Sequence, residues 1–283
     1  MRLIISIIMI LSAITTAVFA EVPPNAPFKK VFIVVFENEN ADDVLKQPTF
    51  ADLARDGAYM NNFHAVTHPS QPNYIALTSG DLHGVPNDEN VDLDVKNITD
   101  LLEAKGLTWK VYVEDFPGQC NPDKRLGKYV RKHNPFISYN NIRNNPKRCA
   151  QIVPATQLQT DITAGKLPDY SFYVPNLDND GHDTGIAFAD AWLRKTFIHQ
   201  LINPAFMKDM LFIITFDEGK VKHPTASNQI YTLFLGDMVE AKKIEEKYDF
   251  YNMLRTIEDA WGLGTLEAND AKSKPITGIW KQK

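Results

Sequence analysis

The 283-residue chain has only two cysteines, Cys120 and Cys149, and no excess of positive charge: 30 Lys and Arg stand against 35 Asp and Glu, a net charge of -5. Two cysteines are too few for a disulfide framework, and without a matching histidine pattern they make a poor metal site. The acidic balance removes the basic footprint that nucleic-acid binding needs. Beyond residue 20 no apolar run is long enough to span a bilayer, which takes about 20 residues, so no stable membrane insertion is expected. Internal repeats, low-complexity segments and a domain linker are lacking too, and residues 21–283 read as one domain. What is present, 44% hydrophobic and 23% charged residues, is an ordinary globular composition.

Residues 1–20 have the form of a secretory signal peptide. Arg2 is the positive start, residues 3–11 are apolar, and Val18-Phe19-Ala20 offers a small-residue cleavage site. The expected destination is the exterior or the periplasm, an oxidising setting in which Cys120 and Cys149 pair as a disulfide.

Two stretches, 29–36 (KKVFIVVF) and 210–216 (MLFIITF), are continuous apolar runs of the kind found in parallel strands buried on both faces. Further strands are expected at 108–113, 170–174 and 229–235, with 59–64 extended. Helices are expected at 50–57, 98–105, 156–162, 186–202 and 251–261. This alternation predicts an α/β fold, a three-layer α/β/α sandwich on a mostly parallel central sheet. Residues 116–151, rich in Pro, Asn, Arg and Lys and holding both cysteines, read as an irregular excursion over the active face.

The strand ends carry the chemistry. Glu37 and Asn38 follow the first apolar run, Asp178, Asp180 and Asp183 follow the strand at 170–174, and Asp217 and Glu218 follow the run at 210–216. Carboxyl ends of strands are where open α/β sheets bind ligands. In HPSQPNYIALTSG, Ser70 sits at a helix start, where its hydroxyl can act as a cap, an anion ligand or a nucleophile. Carboxylates gathered there would repel one another, and a divalent cation resolves the conflict while activating a nucleophile. Glu37, Asn38, Asp217 and Glu218 are hard oxygen donors suited to calcium, magnesium or manganese. Asp178 and His182 form an O/N pair that also suits zinc.

Together FENEN (36–40), THPSQPNYIALTSG (67–80), KHNPF (132–136), VPNLDNDGHDTG (174–185), ITFDEG (214–219) and LRTIEDAWGL (254–263) resemble the phosphoesterase family of acid phosphatases and non-haemolytic phospholipases C. That family lies within the alkaline phosphatase-like superfamily. The resemblance covers most of the chain and implies an alkaline phosphatase-like fold with a Ser70 nucleophile that becomes phosphorylated. It implies that Asn73 donates to a phosphoryl oxygen, that Glu37, Asn38, Asp217 and Glu218 hold a metal, and that Asp178 and His182 hold a second. The superfamily's last histidine ligand has no counterpart near residues 249–251, where His223 is the nearest alternative. A single-metal site is the other expectation, with Asp180, His182 and Asp183 binding substrate or acting as general acid and His133 either contacting phosphate or serving a structural role. The implied activity is hydrolysis of small phosphate esters by an exported phosphomonoesterase. The alternatives are a phospholipase C and a non-catalytic metal- or phosphate-binding protein.

Overall fold

The structure, a computed structural model, describes residues 22–220 and 228–282. The signal-peptide reading of residues 1–20 and the alternative ligand His223 lie outside the described residues.

Eight strands form the central sheet: β1 (Lys30–Phe36), β2 (Ala58–Met60), β3 (Trp109–Val113), β4 (Ile152–Pro154), β5 (Tyr170–Val174), β6 (Met210–Phe216), β7 (Thr232–Leu235) and β8 (Lys242–Ile244). Their order is β8-β2-β7-β6-β1-β5-β3-β4. Only β7 runs antiparallel to its neighbours; every other pairing is parallel. The longer helices are α1 (Pro48–Asp56), α2 (Ser70–Ser79), α3 (Ile98–Ala104), α4 (Gln157–Thr163), α5 (Ile186–Leu201) and α6 (Phe250–Trp261). The α/β sandwich read from the sequence is the fold observed.

Alternation along β1 explains why both faces must be covered. Phe32 and Phe36 point one way. Phe32 stacks on Phe212 at 5.0 Å and meets Phe197 of α5 edge-on at 5.7 Å. Phe36 meets Phe50 of α1 at 5.3 Å and Trp192 of α5 at 5.7 Å. Val31, Ile33 and Val35 are equally buried and point the other way, to the layer in which α2 and α6 pack together. Truncating a core aromatic of this kind costs about 3–5 kcal/mol.

Register is what builds the site. β1 pairs with β6 without a slip, from Lys30 opposite Met210 to Phe36 opposite Phe216. The next residues, Glu37 and Asp217, therefore leave the sheet side by side. On the other flank β5 pairs with β1 from Tyr170 opposite Val31, and delivers the loop that carries Asp178, Asp180 and Asp183.

The excursion at 116–151 is less irregular than its composition suggests. A two-stranded hairpin joins Arg125–Leu126 to Tyr129–Val130, and single helical turns follow at Arg131–His133, Pro135–Ser138, Asn140–Arg143 and Pro146–Cys149. Elements this short leave no periodicity in sequence. Cys120 and Cys149 form the expected disulfide, Cα to Cα 5.6 Å, and close the segment at its base.

Far from the strand ends, α6 buries Glu258 completely, with neither carboxylate oxygen partnered, close to the equally buried Asp270. Asp270 is occupied in accepting the backbone N–H groups of Leu266 and Ala268 at 2.7 and 3.0 Å. Burial first, and then the neighbouring Asp270, push the Glu258 carboxyl up to about 9. A carboxyl raised in the folded state holds a proton that the unfolded chain releases, so stability falls as pH rises from about 4.5 towards 9. Glu258→Gln should therefore raise the melting temperature at pH 8 and lose most of that advantage at pH 5. Thermal denaturation across that range checks it, and a pH-independent difference would refute it.

Candidate active site

Glu37, Asp217 and Glu218 are all buried, and the register of β1 and β6 leaves them no way apart. Asp217 Oδ1 accepts the backbone N–H of Asn38 at 3.1 Å and of Glu218 at 2.7 Å, while Oδ2 is buried without a partner. Asn38 turns the chain at φ 42°, a left-handed conformation that Asn tolerates better than most residues. The end of its amide lies 3.2 Å from Asp217 Oδ1, Glu37 Oε2 and Glu218 Oε1 alike. Facing them nitrogen-first, the amide has two hydrogens for three carboxylates. Facing them oxygen-first, it completes a set of oxygens that only a cation or added protons can satisfy. Burial, then Glu37 and Glu218, push the Asp217 carboxyl well up, and burial also raises Glu218.

Ser70 opens α2, a helix whose residues are all buried. Its hydroxyl makes no cap; Pro69 occupies that position. Instead Oγ donates towards Glu37 Oε2 at 3.1 Å and Glu218 Oε1 at 3.2 Å. Of the three roles open to it in the sequence, the cap is therefore excluded. Tyr74, one turn on, donates its hydroxyl to Glu37 Oε1 at 2.8 Å. His68 Nδ1 closes on the other oxygen of Glu218, leaving Oε1 to Ser70.

Asn73 differs from expectation. Its oxygen accepts the backbone N–H groups of Val66 and Thr67, both at 3.1 Å, and its nitrogen donates to the carbonyls of Thr67 and Pro69 at 3.0 and 3.1 Å. Both amide hydrogens are committed to the turn ahead of Ser70, so Asn73 shapes that turn and has no donor left for a phosphoryl oxygen.

The excursion returns positive charge to the acids. His133, buried and stacked on Tyr74 at 5.3 Å, lies between Glu37 Oε1 at 2.9 Å and Asp180 Oδ2 at 3.3 Å, with Nε2 out of line for a hydrogen bond. Burial works against charge on the ring, but Glu37 and Asp180 outweigh it and lift His133 to about 9. In return, although burial favours its neutral form, Glu37 is held at about 2 by His133 and Lys132. Burial raises the Asp180 carboxyl, with His133 pulling the other way. Half-buried Lys132 approaches Ser70 Oγ at 3.5 Å and pairs with Asp88 Oδ2 at 3.0 Å. Asp88 Oδ1 accepts the Gln71 N–H at 2.9 Å.

Asp178 and Asp183 stay outside this group, bonded to Lys128 Nζ at 2.6 and 3.0 Å, and His182 Nδ1 pairs with Asp183 at 2.8 Å. His182 does lie beside the site, its ring 6.4 Å from that of His133. The Asp178–His182 pair expected for a second metal is thus engaged elsewhere, and the buried oxygen cluster lies around Glu37, Asn38, Ser70, Asp217 and Glu218. That donor set fits one hard divalent cation in kind. Among the described residues no three His, Cys, Asp or Glu side chains form a metal-holding group by themselves.

Lys132, His68, Tyr74 and Asp88 were not legible as site residues. Lys132 had a signal, its place beside His133 in KHNPF. His68 and Tyr74 also had one, lying in the Ser70 motif itself with Tyr74 one helical turn on, whereas Asp88 had none, because only the folded loop brings it to Lys132.

The sequence profile of the phosphoesterase family matches residues 39–264. A probable acid phosphatase of Kluyveromyces lactis is 36% identical over 264 residues, 89% of this chain and 62% of that protein. A phosphatidylinositol-3-phosphatase of Mycobacterium tuberculosis is 34% identical over 260 residues, 89% of this chain and 83% of that protein. The chain spans about six tenths of the length of the fungal acid phosphatases it matches. Among solved structures, a Vibrio parahaemolyticus protein of the alkaline phosphatase superfamily superimposes with a TM-score of 0.62, covering 88% of this chain and 71% of that one. At 14% identity this likeness concerns the fold alone.

The hydrogen bonding of Asn73 yields a stability prediction. Asn73→Ala leaves the part-buried N–H groups of Val66 and Thr67 and the Pro69 carbonyl without this partner, while the Thr67 carbonyl keeps Asn228 Nδ2 at 2.7 Å, and should cost about 1–3 kcal/mol by denaturant unfolding. A change below about 0.5 kcal/mol, the range of surface substitutions, would refute the turn-shaping role.

Proposed function

The chain belongs to the phosphoesterase family, and on that premise we propose that it is an exported, metal-dependent phosphomonoesterase of acid phosphatase type that works through a phospho-Ser70 intermediate. The observation that carries the reading is a buried serine hydroxyl held 3.1 and 3.2 Å from two carboxylates, with a lysine ammonium 3.5 Å away. A serine kept only for packing has no need of a base and a cation together.

The residues divide the work. Glu218, kept more basic by burial, is placed to take the Ser70 proton through Oε1 while His68 steadies its other oxygen. Ser70 Oγ then attacks phosphorus, and the ester oxygen leaves with the substrate's alcohol. Lys132 meets the charge on the phosphoryl oxygens. His182, on the open side of the site, can protonate the leaving oxygen. Water cleaves the phospho-serine in a second displacement that returns Ser70 and releases phosphate. His133, set between Glu37 and Asp180, keeps Glu37 ionised beside Ser70 and Tyr74. A divalent cation, which Glu37, Asn38, Ser70, Asp217 and Glu218 would hold, supplies neutralising charge and lowers the pKa of the hydroxyl when bound.

Arg2, the apolar residues 3–11 and Val18-Phe19-Ala20 support export. Among the described residues no helix is long and apolar enough to cross a membrane. Likeness to the mycobacterial phosphatidylinositol-3-phosphatase supports a second reading, in which the phosphate is carried by a lipid.

Wild-type protein should hydrolyse p-nitrophenyl phosphate, and Ser70→Ala should lower kcat by at least about 10³. Near-normal turnover by that variant would overturn the nucleophile. Chelation should abolish activity and one of magnesium, manganese, calcium or zinc restore it; full activity after exhaustive chelation would overturn the metal. Turnover of phosphatidylinositol 3-phosphate in vesicles, against p-nitrophenyl phosphate, separates the lipid reading.

A further inference from the structure

A cavity of about 550 Å³ shares Lys132 and His182 with the Ser70 site. Lys132 forms its inner wall, 3.5 Å from Ser70 Oγ. Its outer wall is the hairpin of the excursion, which contributes the exposed Lys124 and Arg125; Val130 and Leu177 add an apolar ledge. Asp88 is the one carboxylate among the lining residues, and it is spent on Lys132 at 3.0 Å. Lys124 holds only the exposed Glu89, at 2.6 Å. The Arg125 side chain donates to the carbonyl of Gly127 at 3.1 Å, and among the described residues it enters no ion pair with a carboxylate.

Three cations thus face this cavity in a protein whose net charge is -5. Lys132 alone can meet the phosphate undergoing transfer at Ser70. Lys124 and Arg125 stand further out, where the remainder of a substrate would lie. An uncharged leaving group gains nothing from them, whereas a phosphate matches the planar fork of an arginine. We propose that the cavity is a leaving-group pocket that selects phosphate esters carrying a second phosphate, with Arg125 and Lys124 as the residues that set this preference. The proposal rests on the hydrolase reading for its direction, but its anion recognition can be tested without turnover.

The experiment compares wild-type, Arg125→Glu and Lys124→Ala/Arg125→Ala full-length proteins on fructose 1,6-bisphosphate, fructose 6-phosphate and p-nitrophenyl phosphate. Two exposed cation–phosphate contacts should give the bisphosphate an advantage of about tenfold in kcat/KM. The variants should lose that advantage through KM, with p-nitrophenyl phosphate within about twofold of wild type. Parallel losses on all three substrates, or an undiminished preference, would overturn the pocket. Calorimetry of both sugar phosphates on Ser70→Ala protein, with and without Arg125→Glu, covers the case of no turnover. There, tighter binding of the bisphosphate that vanishes with Arg125→Glu upholds the pocket while the hydrolase reading falls, and equal affinities overturn the pocket.

Discussion

Three carboxylates, Glu37, Asp217 and Glu218, are forced into one buried place because β1 and β6 pair without a slip and each is followed by an acid. Neither strand can yield, since both are buried on two faces and packed by aromatic residues. Like charges in such surroundings need protons, hydrogen bonds or cations nearby. Most of the site can be understood as the answer to that need. Asn38 turns its amide into the cluster, Ser70 and Tyr74 aim hydroxyls at it, and His133 and Lys132 bring charge.

Each answer is only partial, and the proposed reactivity rests on that. Glu37 is held ionised by His133, while Asp217 keeps a buried oxygen without a partner. In the proposed mechanism the cluster would take a cation on one side and offer Ser70 a proton acceptor on the other. A fully satisfied network would have rigidified the core and left no base for the hydroxyl.

The excursion is the second support. It carries His133 and Lys132 inward, shapes the cavity with its hairpin and is tied at its base by Cys120–Cys149. Its elements are two to four residues long, held by loop contacts and not by any repeat of apolar positions. It reads as irregular in sequence and is nonetheless the part that brings cationic side chains to an acidic pocket.

Residue types and short-range order were enough to establish the α/β class, the buried strands, the acids at their ends and Ser70 at a helix start. Apolar runs and local turn chemistry depend on neighbours in the chain. Tertiary structure alone decided which polar groups meet. Asn73 proved to be spent on its own turn, Asp178 and Asp183 on Lys128, Lys132 and Asp88 joined Ser70 from separate segments, and His68 and Tyr74 turned from Ser70's own segment onto Glu218 and Glu37. The physical reason is that hydrogen bonds and ion pairs form between whichever groups packing brings within about 3 Å, and that depends on register and loop path, which no single stretch of sequence contains.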